Sequence, residues 1–270
     1  MTILVSAGFG DLRSTDVRLL DEASRLGPVH VRLWSDELLE SLEGRRPRFA
    51  ESERRFFIEH LRYVAGVGIV RSLGSLTAPI RGERPTKMVV PAGTPEIVRV
   101  ACEKAGVDVV ELGVDGLAGW PAPAAGLLDP DDPGARRVIV TGCFDWLHSG
   151  HVEFFRDASR LGQLYVVTGS DRNVRLLKGA GHPLHDERER TYMVQAMRPV
   201  HRALVSTGSG WMDAEPEVEV IRPQVYVVNT DGDKPEKRAF CETHGLEYVV
   251  LRRRPHPGLP RRTSTDLRGF

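Results

Sequence analysis

The chain has 270 residues, enough for two modest domains that each bury a core of their own. Its 37 Lys and Arg balance 37 Asp and Glu, so no basic excess points to nucleic acid as a partner. Three scattered cysteines, Cys102, Cys143 and Cys241, speak for a reducing cytoplasm and against a disulfide framework or a clustered zinc site. The opening Thr2-Ile3-Leu4-Val5 is too short for a signal peptide, and no apolar run reaches the length of a membrane span.

In chain order, the first half carries a pattern that returns 135 positions later. Val5, Phe9, Leu12, Ser14, Val17 and Ala23-Ser24-Arg25-Leu26-Gly27 fall on Val140, Phe144, Leu147, Ser149, Val152 and Ala158-Ser159-Arg160-Leu161-Gly162 without a gap. Ser35-Asp36 falls on Ser170-Asp171 and, one inserted residue later, Glu51, Glu53 and Arg54 fall on Glu187, Glu189 and Arg190. Agreement at several points in one order indicates duplication. Residues 113–136 are rich in Gly, Pro and Ala and close on the turn-forming run Asp129-Pro130-Asp131-Asp132-Pro133-Gly134. They form the expected linker between a first domain, 1–112, and a second, 137–270.

In the second half, short apolar or β-branched runs at 138–141, 164–168, 203–206, 225–229 and 248–251 predict strands. Helical patterns lie around 152–161, 187–197, 216–221 and 234–244. The alternation predicts an α/β fold of two tandem Rossmann-like domains, each a parallel sheet with helices on both faces. Ligands in such folds bind beyond the carboxyl ends of the strands.

Two motifs carry the candidate chemistry. The first, Gly142-Cys143-Phe144-Asp145-Trp146-Leu147-His148-Ser149-Gly150-His151, follows the apolar run Val138-Ile139-Val140 and leads into a helix. A strand thereby delivers two imidazoles, three residues apart, to a helix start whose free N–H groups and dipole suit a polyphosphate. The second, Arg262-Thr263-Ser264-Thr265-Asp266-Leu267-Arg268, reads as an N-cap and first helical turn whose hydroxyls can also donate to phosphate oxygens. The first half lacks this equipment: Arg13 stands for His148, Thr15 for Gly150, Asp16 for His151 and Glu43 for Lys178. Asp16 and Glu43 would repel a triphosphate. Residues 1–112 therefore read as a degenerate copy that keeps the fold without the site.

The two motifs together resemble the cytidylyltransferase family of nucleotidyltransferases, marked by H-x-G-H near the domain start and a Ser/Thr-rich segment near its end. The stretch Glu189-Arg190-Thr191-Tyr192-Met193-Val194-Gln195-Ala196 is similar to a helix of the ethanolamine- and choline-phosphate cytidylyltransferases, of which the former carry two such domains in tandem. The resemblance implies transfer of CMP from CTP to a small phosphorylated or phosphonylated alcohol, with release of pyrophosphate. It implies that His148 and His151 donate to the phosphates, that the backbone of Gly142, Cys143 and Phe144 together with Gly150 cradles the triphosphate, and that Thr263, Ser264 and Thr265 hold its outer oxygens. Asp145 is implied to orient these groups, Asn229 and Asp231 to contribute to the nucleotide site, and Lys178 and Arg190 to meet the substrate phosphate. Mg²⁺ is expected with the nucleotide, and no metal is expected on protein ligands alone. Two alternatives stand beside this reading: an ATP-dependent adenylyltransferase of a sugar phosphate, as in the heptose-phosphate enzymes, and a non-catalytic nucleotide sensor. Because family members pair as two-fold dimers, the two halves are expected to form an intramolecular pseudo-dimer in a monomeric chain.

Overall fold

A computed structural model describes residues 2–80, 82, 84–124 and 126–267, without the side chains of Thr265 and Asp266. The chain divides into two compact units, Met1–Trp120 and Pro121–Phe270. The expected linker 113–136 is thus shared out. The Gly116 carbonyl accepts from Arg18 in the first unit, whereas the Asp129 carbonyl accepts from Arg202 and the Asp131 carboxylate from His201 in the second.

The first unit runs β1 (Ile3–Ala7), α1 (Ser14–Ser24), β2 (Val29–Trp34), α2 (Asp36–Glu43), α3 (Glu51–Glu59), β3 (Val64–Val70), β4 (Lys87–Pro91), α4 (Glu96–Lys104) and β5 (Asp108–Leu112). The second runs β6 (Arg137–Gly142), α5 (Ser149–Ser159), β7 (Gln163–Thr168), α6 (Asp171–Lys178), α7 (Glu187–Gln195), β8 (Arg202–Val205), α8 (Glu215–Ile221), β9 (Val225–Asn229), α9 (Pro235–His244), β10 (Glu247–Leu251) and α10 (Ser264–Leu267). Each unit holds a five-stranded sheet whose strand pairs are all parallel, in the orders β3-β2-β1-β4-β5 and β8-β7-β6-β9-β10. The two orders are the same topology, as the duplicated sequence pattern requires.

Parallel strands covered by helices on both faces must be apolar throughout, and Val138, Ile139 and Val140 of β6 are fully buried. One face of the second sheet packs Ile139, Val167, Tyr226 and Val228 against Val218, Ile221 and Phe240 of α8 and α9. Each such side chain contributes roughly 1.5–3 kcal/mol on burial. The glycine that ends the repeated Ala-Ser-Arg-Leu-Gly has φ near +150° in both units, and a Cβ on Gly162 would lie 2.1 Å from the Arg136 carbonyl oxygen. Only glycine lets the chain pass that close at the entry to β7.

Two elements depart from the expectation. Helix α5 begins at Ser149 rather than Val152, because His148 itself is the N-cap. Helix α6 was not legible as a helix: its polar sequence DRNVRLLK buries only Asn173 and Val174, and its start is fixed by the Ser170 hydroxyl accepting from the Asn173 N–H. That helix ends on Lys178.

Candidate active site

Strand β6 is paired with β7 on one side and β9 on the other, so the chain leaves the sheet in opposite directions from neighbouring strand ends. The crevice that results at the carboxyl ends of β6 and β9 is where open α/β sheets hold ligands. A pocket of about 480 Å³ lies there, walled by Thr141 to Asp145 after β6 and by Asn229 and Asp231 after β9. Gly150, His151, Lys178, Thr263 and Ser264 complete the set of sequence-predicted residues along it.

The turn between β6 and α5 is shaped by Phe144, which holds a left-handed φ of 50° as its counterpart Phe9 does at 51°. A Cβ on Gly142 would lie 2.8 Å from the Phe144 ring, so glycine at this position keeps the ring beneath the loop. Asp145, 5 % exposed, accepts from the backbone N–H groups of Leu184 and His185. Its carboxylate therefore fastens the loop that follows Lys178 to the turn.

The two imidazoles occupy different places. His151 lines the pocket, whereas His148 is fully buried behind Gly150 and stacks on His151 with ring centroids 4.0 Å apart. His148 Nδ1 accepts from the Gly150 N–H at 3.1 Å, which puts the proton of a neutral ring on Nε2. Among the described residues, that Nε2 and the Nδ1 of His151 are buried without a hydrogen-bond partner. Burial pushes His151 down to about 3, helped by the charge of Arg253, and drives His148 well below the ordinary imidazole range, helped by His151. Both rings are neutral at physiological pH, so each carries one N–H and no charge.

Arg190 lies outside the pocket, a departure from the substrate-binding role implied by the resemblance. It is 1 % exposed and donates to the carbonyls of His185 (2.9 Å), Cys143 (2.6 Å) and Gly169 (2.8 Å) and to the Asp171 carboxylate (2.8 Å). Arg54 does the same in the first unit, donating to the carbonyls of Phe49, Gly8 and Trp34 and to Asp36. The shared arginine is a clamp on the loops after the first two strands of each sheet. Thr265 lies beside Ser264 in α10, but its side chain is outside the described residues.

Several pocket residues escaped the sequence reading: His182, Trp211, Lys234, Lys237 and Arg253. Arg253 is the most informative. It pairs with Asp231 at 2.5 Å and donates to the Arg262 carbonyl at 2.8 Å, so one guanidinium ties the β9 loop to the hydroxyl-bearing segment. The signal available was the run Arg252-Arg253-Arg254 directly after β10, at the same sheet end as both motifs. Ser264 is held in turn by its hydroxyl donating to the Trp146 carbonyl.

Residues 139–263 match the family model described as cytidylyltransferase-like. An FAD synthase of Aciduliprofundum boonei is 37% identical over 136 residues, covering 49% of this chain and 84% of that protein. The chain belongs to the cytidylyltransferase-like family. A second FAD synthase, from Methanopyrus kandleri, is 35% identical over 123 residues, covering 43% of this chain and 79% of that one. The bifunctional protein HldE of Methylococcus capsulatus is 39% identical over 99 residues, 36% of this chain and 20% of that protein. As a member of this family the chain is a nucleotidyltransferase.

These relatives overturn the expectation of CTP as the donor, since FAD is an adenine dinucleotide. The structure explains why the sequence misled. The stretch that favoured CTP packs into the core along α7, with Tyr192, Met193, Val194 and Ala196 at most 8 % exposed and none of them on the pocket. These side chains therefore do not meet a ligand held in that pocket. Among the described residues, no helix is long and apolar enough to cross a membrane.

Proposed function

We propose that the second unit transfers AMP from ATP to a phosphate monoester and releases pyrophosphate. The observation that carries this reading is the juxtaposition of neutral His151, Lys178 and the Thr263-Ser264 hydroxyls around the N-terminus of α5, in a chain whose relatives include FAD synthases. An acceptor phosphate oxygen attacks the α-phosphorus; the bond from that phosphorus to the bridging oxygen of the β-phosphate breaks, and the electron pair leaves with pyrophosphate. The nucleophile is already ionised near neutral pH, so catalysis rests on positioning and on donors aimed at the charge of the transition state.

In this reading His151 and Lys178 contact the transferring phosphoryl group, and Thr263 and Ser264 hold the outer phosphates. The Nδ1 of His151, without a hydrogen-bond partner among the described residues, supports the same assignment, because His151 lines the pocket and an unpaired polar atom is costly unless a ligand pairs with it. The pocket carboxylates are already engaged, Asp145 with backbone N–H groups and Asp231 with Arg253. Mg²⁺ would accordingly be held by the triphosphate oxygens, where it offsets their charge.

The first unit is not read as a second catalytic site. Its equivalent pocket, also about 480 Å³, is faced by Arg13, Asp16 and Glu43. The Asp16 carboxylate accepts from the Arg13 N–H at 2.8 Å and so occupies the helix N-terminus that a phosphate needs. Pyrophosphate release measured with ATP and with CTP against flavin mononucleotide and a panel of sugar phosphates tests the proposal. ATP is expected to support turnover with at least one acceptor and to bind one site per chain in calorimetry; turnover with CTP alone, or two equivalent ATP sites, would overturn it.

A further inference from the structure

A reaction between two substrates needs two compartments that meet at the reacting atoms, and the second unit has them. Beside the main pocket lies a smaller lobe of about 140 Å³, reaching Gly169, Asn173, Val174, Leu177 and Asp213. The lobes share Thr141, Gly142, Cys143, Lys178, Trp211 and Lys237, whereas His151, Asp231, Arg253, Thr263 and Ser264 border only the larger one. Thr263 and Ser264, the side chains assigned to the outer phosphates, are therefore on one side of the junction together with His151. Two lysines stand on the junction itself.

The chain uses arginine in preference to lysine, with only Lys87, Lys104, Lys178, Lys234 and Lys237 present, yet Lys178, Lys234 and Lys237 all face this one site. Lys237 makes no ion pair or hydrogen bond among the described residues; its ammonium lies 5.9 Å over the Tyr226 ring. The Asp213 carboxylate acts on it only through space, so an anionic ligand brought beside this half-buried cation adds to its stabilisation. The character of the small lobe is also specific. Its Asn173 amide is spent on Gly210, donating to the carbonyl at 3.1 Å and accepting from the N–H at 2.7 Å. Asp213 accepts from the Ser206 hydroxyl, and the Thr141 hydroxyl is shared with Tyr226. These engaged groups leave little to read sugar hydroxyls. What faces the lobe instead is Val174, Leu177 and Trp211, the last 56 % exposed although the loop carrying it is pinned through Gly210 by Asn173. A large aromatic held in solvent by a fastened loop offers a ring face to a ligand.

We propose that the smaller lobe is the acceptor subsite, that Lys237 acts with Lys178 to hold the acceptor phosphate, and that Trp211 selects acceptors with a flat aromatic body over polyhydroxylated ones. The assignment of the larger lobe to the nucleotide rests on the AMP-transfer reading above; the division into two lobes does not depend on which base is used.

The test is binding without turnover. Calorimetry on the full chain, saturated with an ATP analogue carrying a methylene bridge between the α- and β-phosphates, compares flavin mononucleotide with glucose 1-phosphate. The wild type is expected to bind the flavin phosphate at least tenfold more tightly, a margin in keeping with stacking on one aromatic side chain. Trp211→Ala should erase that margin and Trp211→Phe should keep most of it. Lys237→Ala should weaken both phosphates about tenfold, Lys237→Arg much less, with affinity for the analogue unchanged within twofold in each variant. A preference for glucose 1-phosphate, or acceptor binding indifferent to both substitutions, would overturn the proposal, as would a Lys237→Ala variant that loses the analogue rather than the acceptor. If a methylene analogue of CTP has to replace that of ATP, the donor assignment fails while the acceptor ranking is still read from the same titrations.

Discussion

Replacing Arg190 by alanine distinguishes a clamp from a substrate ligand. The substitution leaves the carbonyls of Cys143, Gly169 and His185 and the Asp171 carboxylate without their donor, around a side chain only 1 % exposed. An orphaned buried acceptor costs about 1–3 kcal/mol, and the pair with Asp171, itself 24 % exposed, adds less than the roughly 3–5 kcal/mol of a fully buried one. These contributions overlap, since the loops relax together, and a net loss of about 4 kcal/mol is expected for the second unit. At roughly 2–4 °C per kcal/mol for a domain of this size, Tm should fall by about 10 °C. Arg190→Lys should recover only part of the loss, because one ammonium cannot span four acceptors fixed in a fork. Arg54→Ala should cost the first unit a similar amount through the equivalent acceptors. Scanning calorimetry of the full chain measures all three. An Arg190→Ala variant with Tm within 2 °C of wild type and a tenfold higher acceptor KM would refute the clamp and restore the substrate-binding role.

His151→Ala should lower kcat by a factor on the order of 10² with Tm nearly unchanged, because it removes a donor facing the reacting phosphates; turnover near that of wild type in a pyrophosphate assay would sink the assignment. Arg253→Ala should weaken nucleotide binding roughly tenfold in calorimetry while leaving acceptor KM alone, since it releases both Asp231 and the Arg262 carbonyl; an equal loss for the acceptor would contradict the division of the site. The buried histidines also set a pH dependence. Their folded-state values lie below the ordinary 6.5, His151 at about 3, so between these limits the unfolded chain binds more protons and stability falls as pH drops below about 6.5. Thermal melts should show Tm declining from pH 7 to pH 5, less so in His151→Ala; a wild-type Tm that rises on acidification in this range would contradict the neutral-imidazole assignment.

The sequence by itself determined the duplication, the alternation of strands and helices and both motifs, because each is local. A run such as Val138-Ile139-Val140 is buried on both faces of a parallel strand whatever surrounds it, and histidines three residues apart meet at a helix start by geometry alone. Three matters were decided only by the tertiary structure. Arg190 and Arg54 look the same in sequence as a phosphate ligand and its relic; burial and four fixed acceptors make both of them clamps. The stretch Tyr192 to Ala196, whose similarity to a helix of the ethanolamine- and choline-phosphate enzymes favoured CTP, is packed in the core and away from the pocket. Arg253, Trp211 and Lys237 belong to no motif, because they reach the pocket from separate elements: the segment after β10, the loop before α8 and the first turns of α9. Side chains that converge from distant segments leave no spacing to read, since their proximity is created when the sheet brings its strand ends together.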